Sequence, residues 1–225
     1  MPKITNPRYI EFNKADTFFK PITKEEFVSK LDVINYSDKY KTMEARAYCI
    51  ISYYSGLRPA EILDLKPENI DKSGRYIEMI LQAKKGGAKH PVSIPKNELM
   101  LEFFEYAKSK TVPGQYIFRR FRSERPHIVK WKQVIKDPKT DSVIVKDRKK
   151  LYFRTTVKVQ YMVLKWFGFP PYYFRHNRFT SMMQHGATIA EIKHQKLGKT
   201  LASVECYLKY DVHESRKTSR TIKDD

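Results

Sequence analysis

Arg58, Arg175 and Tyr207 are the residues whose types and settings fit one chemistry, attack on phosphorus. Arg58 lies in SGLRPAEILDL and Arg175 in YYFRHNRFTSMMQHG, with Tyr207 farther along the same C-terminal third. A guanidinium stays charged without pKa tuning, and its planar fork matches phosphate oxygens bidentately. Two of them read as halves of a phosphate clamp, and a downstream tyrosine hydroxyl can act as nucleophile. Plainer readings stand beside these. Arg58 could form a surface salt bridge with Glu61, and the chain holds 15 tyrosines, most of which must pack or face solvent. Tyr210, one turn past Tyr207, is the direct rival as nucleophile.

The charge balance points to a polyanionic partner. Lys+Arg number 44 against 25 Asp+Glu, a formal charge of +19 in 225 residues. Such an excess favours nucleic acid over neutral or basic partners. A hydrophobic fraction of 41% with 13% aromatics is ample for a core and excludes a disordered basic tail. No apolar run approaches the ~20 residues that span a bilayer. Nor does the N-terminus carry an apolar stretch of signal type. No membrane role and a cytoplasmic, nucleoid-associated location are therefore expected. Cys49 and Cys206 lack metal-ligand or disulfide-framework spacing and read as reduced structural thiols. No Asp/Glu cluster has the spacing of a two-metal nuclease, so neither metal nor cofactor is expected.

Positioning these groups falls to a mainly helical α+β domain with a small antiparallel sheet. Thr23 and Glu26 form a capping box that opens a helix to about Leu31. Ala47, Ile50, Ile51 and Tyr54 keep helical spacing in a second helix, about Lys41 to Tyr54, which Ser55-Gly56 stops. Pro59 suits the first turn of the next helix, so Arg58 is held at a turn-to-helix junction. Leu57, Ile62, Leu63 and Leu65 would bury the apolar side of that junction, and Glu61, one turn on, could orient the guanidinium. RYIEMILQ and PVSIP read as strands joined by AKKGGAKH, a turn crowded with lysines. A helix from about Lys96 to Lys108 follows. HIVKWKQVI and SVIVKDRKK then read as a basic hairpin, with RRFRSER just ahead of it. The stretch 119–150 is either a solvated face or a lining for a DNA backbone. Further helices are expected at about 156–167 and 175–185, then one opened by Thr188 and Glu191, and a short last one carrying Tyr207.

SGLRPAEILDLKPENID resembles the first arginine box of the tyrosine recombinase (integrase) family, and RHNRFTSMMQHGATIAEI resembles its second. The lysine-bearing hairpin lies between them, as in that family. The likeness covers roughly residues 21–210 and is nearest to integrases of archaeal viruses and plasmids. It implies the tyrosine recombinase catalytic-domain fold and a site-specific DNA strand exchange without metal or ATP. Arg58 and Arg175 match the arginines that bind the scissile phosphate, and Tyr207 the nucleophile that forms a 3′-phosphotyrosyl link. Lys85 matches the hairpin lysine that protonates the leaving oxygen, with Lys84, Lys89 and His90 as alternatives. His176 follows the second arginine as the family's second histidine does, with His194 an outside alternative.

Two positions depart from the family pattern. Three residues before the second arginine, where histidine or lysine is usual, stands Tyr172, a poor general base at neutral pH but a capable hydrogen-bond donor. Near the nucleophile, Gly198-Lys199 replaces the usual glycine-histidine pair, and Lys199 would supply a donor or a charge. The resemblance further implies double-stranded DNA carrying an attachment site as partner and a homotetramer on DNA, with a monomer for an isolated domain. Residues 1–20 then read as an arm or linker remnant and residues 211–225 as a C-terminal tail. Two rival functions share the pattern: supercoil relaxation of the type IB topoisomerase kind, and a DNA-binding protein on this scaffold that has lost catalysis.

Overall fold

The computed structural model describes residues 21–82, 89–123, 126–136, 143–153 and 156–195. Helix α1 (Lys24–Asp32) opens on the expected capping box. Thr23 Oγ1 accepts the Glu26 N–H at 3.2 Å, and Glu26 Oε2 accepts the Thr23 N–H at 3.0 Å. Helix α2 (Lys39–Ser55) starts at an Asp38 cap, whose Oδ1 accepts the Tyr40 and Lys41 N–H groups. It ends at Gly56, whose φ of 62° is the left-handed region that glycine enters without steric cost. Pro59 opens α3 (Pro59–Leu63) with Arg58 as its cap residue, as read from the sequence.

A 3-10 turn (Pro67–Asn69) leads into a three-stranded antiparallel sheet of β1 (Ile70–Asp71), β2 (Tyr76–Gln82) and β3 (Lys89–Pro95). The short β1 has no signal in the sequence; its two residues pair with Met79 and Glu78. The β2–β3 register sets Ile77 opposite Ile94 and Met79 opposite Val92, all buried, so alternation puts one face of the sheet on the core. Pairing runs out to Gln82 and Lys89, which fixes where the lysine-rich turn begins and ends.

After α4 (Glu98–Lys110), the basic segment forms its own two-stranded sheet. Strand β4 (Pro126–Lys136) pairs antiparallel with β5 (Val143–Phe153), from Pro126 opposite Phe153 to Lys136 opposite Val143. Helices α5 (Val157–Phe167), α6 (Tyr172–Gln184) and α7 (Ile189–Gln195) complete the described chain. The α7 start carries the second capping box, with Thr188 Oγ1 accepting the Glu191 N–H at 3.2 Å.

Helix α2 lies in the middle of the core, burying Met43, Ala47, Tyr48, Cys49, Ile50 and Ile51. An aromatic cluster locks α1, α2, α5 and α6 together. Phe27 stacks on Tyr53 at 4.0 Å, and Phe167 meets Phe174 edge-on at 5.0 Å. Burying such side chains is worth about 1.5–3 kcal/mol each. The three-stranded sheet and helices α1 to α6 share this core, and Phe179 and Ile192 form a second, smaller cluster between α6 and α7.

Candidate phosphate-clamp site

The α2–α3 junction is built to hold one guanidinium still. Leu57, Ile62, Leu63 and Leu65 are buried beneath it, as their apolar types require. Glu61 is 2% exposed, and its carboxylate faces back toward the start of α3. Its Oε2 accepts the Arg58 backbone N–H at 2.7 Å and its Oε1 accepts Arg58 Nη1–H at 2.7 Å. Salt bridge and orienting partner are therefore the same contact. The Arg58 side chain stays 37% exposed. Among the described residues its guanidinium donates only to Glu61, which leaves other N–H groups of the fork available to a ligand.

Arg175 sits differently. It is 4% exposed in the first turn of α6, and its Nη1 donates to Gly56 O at 2.5 Å. Its guanidinium carbon also lies 4.8 Å from the Phe179 ring centre, a cation–π geometry. Gly56 is two residues before Arg58, so this bond brings the two arginine-bearing segments to one place. The carbonyl it uses belongs to the end of α2, where the last carbonyls have no partner within the helix. The neighbouring carbonyl, Ser55 O, accepts Gln195 Nε2 at 3.4 Å from the end of α7.

Helix α6 begins at Tyr172, not near Arg175 as the sequence reading placed it. Pro171, which cannot donate an N–H, caps the helix and lets it begin one turn earlier. Tyr172 and Arg175 consequently share a helix face at i and i+3. Tyr172 is 50% exposed. His176 is half-buried on the same helix, and His194 is exposed in the last turn of α7. Lys89 and His90 begin β3. Lys84, Lys85, Gly198, Lys199, Cys206, Tyr207 and Tyr210 lie outside the described residues, as do residues 1–20 and the 211–225 tail. The structure thus gathers Arg58, Glu61 and Arg175.

Three features escaped the sequence reading. Asn177 is buried, and its Oδ1 accepts the Ile22 N–H at 2.8 Å, pinning α6 to the start of α1. Arg178 packs its stem on Gly56, where an added Cβ would lie 3.1 Å from Arg178 Cβ and Cγ. Its Nε is buried without a hydrogen-bond partner among the described residues, and burial holds its guanidinium below the ordinary arginine range. Gly56, read only as a helix stop, is also the acceptor and the contact point for α6. None of these pairings is local, so no spacing rule announces them.

Among the described residues no helix is long and apolar enough to cross a membrane, and no cluster of three or more His, Cys, Asp or Glu could hold a metal. The phage integrase family model matches residues 20–213. A tyrosine recombinase XerA from Thermococcus kodakarensis is 23% identical over 210 residues, covering 91% of this chain and 63% of the relative. The chain thus spans less than two thirds of that relative's length. Among solved structures, a XerA recombinase superposes with a TM-score of 0.55 at 15% identity, covering 89% of this chain and 63% of the other. The XerH site-specific recombinase bound to its difH substrate superposes at 0.57 with 14% identity, covering 87% and 52%. These two likenesses show the shared fold of a tyrosine recombinase catalytic domain. With the family model matched over most of its length, this chain belongs to the phage integrase family.

Proposed function

We propose that residues 21–210 form the catalytic domain of a site-specific DNA recombinase that cuts and rejoins strands through a 3′-phosphotyrosyl intermediate. The observation that carries this reading is the Arg175–Gly56 bond, which holds the second arginine against the junction presenting the first. Arg58 supplies exposed N–H groups and Arg175 a buried, fixed charge. Phosphodiester transfer accumulates negative charge on the non-bridging oxygens, so catalysis rests on positioned cations. In the proposed step, the Tyr207 hydroxyl gives its proton to water and its oxygen bonds to phosphorus. The bond from phosphorus to the 5′ oxygen breaks, and Lys85 gives that oxygen a proton. The tyrosyl ester conserves the energy of the broken bond, so the reverse attack by a 5′ hydroxyl rejoins strands without ATP. Tyr172, on the Arg175 face, would donate to a phosphate oxygen, and Lys199 would add charge near the nucleophile. XerH is described in complex with a difH substrate; for this chain we infer a double-stranded attachment site and a tetramer on DNA.

The test incubates the protein with a nicked suicide duplex carrying the attachment site and resolves covalent adducts on a denaturing gel. An adduct is expected with the parent sequence and with Tyr210→Phe, and none with Tyr207→Phe. Persistence of the adduct in Tyr207→Phe would move the nucleophile elsewhere. Absence of adduct from the parent chain on cognate DNA would favour a catalytically silent DNA-binding scaffold. Strand exchange between two cognate duplexes separates recombination from single-protomer supercoil relaxation.

A further inference from the structure

Toward the other end of α2 from Gly56, a carboxylate and a guanidinium meet just ahead of the β4–β5 hairpin. Glu44 is 2% exposed. Its Oε1 accepts the backbone N–H of Arg120 at 3.0 Å and of Phe121 at 3.4 Å, and its Oε2 lies 3.5 Å from Arg120 Nη1. Arg120 reaches further: Nε pairs with Asp38 Oδ2 at 3.2 Å, and Nη1 and Nη2 lie 3.4 and 3.3 Å from the Tyr106 hydroxyl. One side chain joins the start of α2, its second turn, α4 and the segment running into β4.

The surroundings are cationic. Glu44 and Arg120 line a cavity of about 500 Å³ with Tyr106 and Lys110 of α4 and Arg119 of the incoming segment. Arg120 also lines a second cavity, of about 400 Å³, with Lys41, Lys158 and Lys165. The titratable and charged groups around the Glu44–Arg120 pair are therefore Asp38 at the start of α2, Tyr106 and Lys110 from α4, and Arg119. At a helical rise of about 1.5 Å per residue, Glu44 stands about 18 Å along α2 from Gly56, well away from the arginine clamp.

We propose that Glu44 and Arg120 form a proton-linked grip, in which protonation of Glu44 frees the Arg120 fork to bind backbone phosphates of DNA. The proposal rests on the DNA reading above. Burial pushes the Glu44 carboxyl up to about 7, outweighing its amide and guanidinium contacts. The Lys41 backbone N–H holds Asp38 below its ordinary range, so Asp38 stays ionised throughout this window. Above pH 7 Asp38, Glu44 and Arg120 together carry one net negative charge; below it they are neutral. Protonated Glu44 keeps an oxygen to accept the backbone N–H groups, so the segment remains anchored and Arg120 Nε stays on Asp38, while the pull of Glu44 on Nη1 ends. By reciprocity, phosphate binding at Arg120 takes up a proton at Glu44.

The experiment measures the Kd of a fluorescent duplex by anisotropy at fixed salt from pH 6 to 8.5, using the full chain, Glu44→Gln, Arg120→Gln and the double variant. All other titratable groups are common to the parent and Glu44→Gln, so the difference between their profiles isolates one group. The parent should lose roughly three- to ten-fold more affinity than Glu44→Gln as pH rises, the scale of one unit charge acting at close range. Glu44→Gln should match the parent at low pH and bind more tightly than it at high pH. Arg120→Gln should remove the extra pH dependence by itself, whether or not Glu44 is changed. Binding with parallel profiles overturns this proposal alone. No binding by the parent at any pH overturns the DNA reading, and this proposal with it.

Discussion

Gly56 combines three demands on one residue: a left-handed backbone, close contact with Arg178 and Phe179, and a carbonyl for Arg175. A side chain there meets strain of about 1–2 kcal/mol from the backbone alone. Contact at 3.1 Å adds to it, because Arg178 Cβ and Cγ are the near end of that side chain and cannot swing away. Gly56→Ala should therefore lower stability by about 2–3 kcal/mol in urea titration, with a further fall in adduct formation as the arginines separate. Glu61→Gln tests orientation instead. It keeps an oxygen for the Arg58 N–H but loses the charge that fixes the guanidinium. Misplacement of such a group costs about 10²-fold in cleavage rate, and DNA affinity should change much less. Equal losses in rate and affinity would mean that Glu61 serves the fold rather than the aim of Arg58.

Elements whose signals are local were legible before any coordinates. The Thr23–Glu26 and Thr188–Glu191 boxes each close over three residues, and both open helices where expected. Thr23→Ala should cost about 1 kcal/mol, read as a lowered urea midpoint at constant slope. The alternation in β2 and β3 and the Arg58–Pro59 junction were legible for the same reason. The start of α6 was not, because Pro171 caps it without a side-chain hydrogen bond and no capping residue type marks the boundary. Asn177–Ile22, Arg175–Gly56 and Gln195–Ser55 join positions 155, 119 and 140 residues apart, and a linear reading contains no trace of them. Glu44 was equally hidden: only the fold shows that helical spacing buries it. Its carboxyl is raised, so the folded state holds a proton that the unfolded chain releases near pH 4.5. Its stability contribution is complete below about pH 4.5 and fades as pH rises through about 7. Glu44→Gln should remove that decline, gaining on the order of 3 kcal/mol at pH 8 relative to the parent, measured by denaturant titration across pH.

On the scale of the whole molecule, the charge excess of +19 is spread over more than the clamp. Arg122 is held by Asp64 and Leu63 O at the end of α3 and stacks 3.7 Å from the Tyr116 ring centre. Arg119 and Lys158 line a cavity with it. If DNA lies across these groups, log Kd should vary linearly with log salt, with a slope of about 0.9 for each phosphate neutralised. Arg122→Gln should lower that slope by about one while leaving sequence preference unchanged. A slope that does not move would place Arg122 in the fold alone.

The two carbonyls at the end of α2 have one more consequence. Ser55 O receives α7 and Gly56 O receives α6, so one helix end acts as a common bearing for both. A small rotation of α2 would carry both contacts with it. The helix that presents Arg175 and helix α7 would then turn in step, so α2 sets the aim of both from a distance.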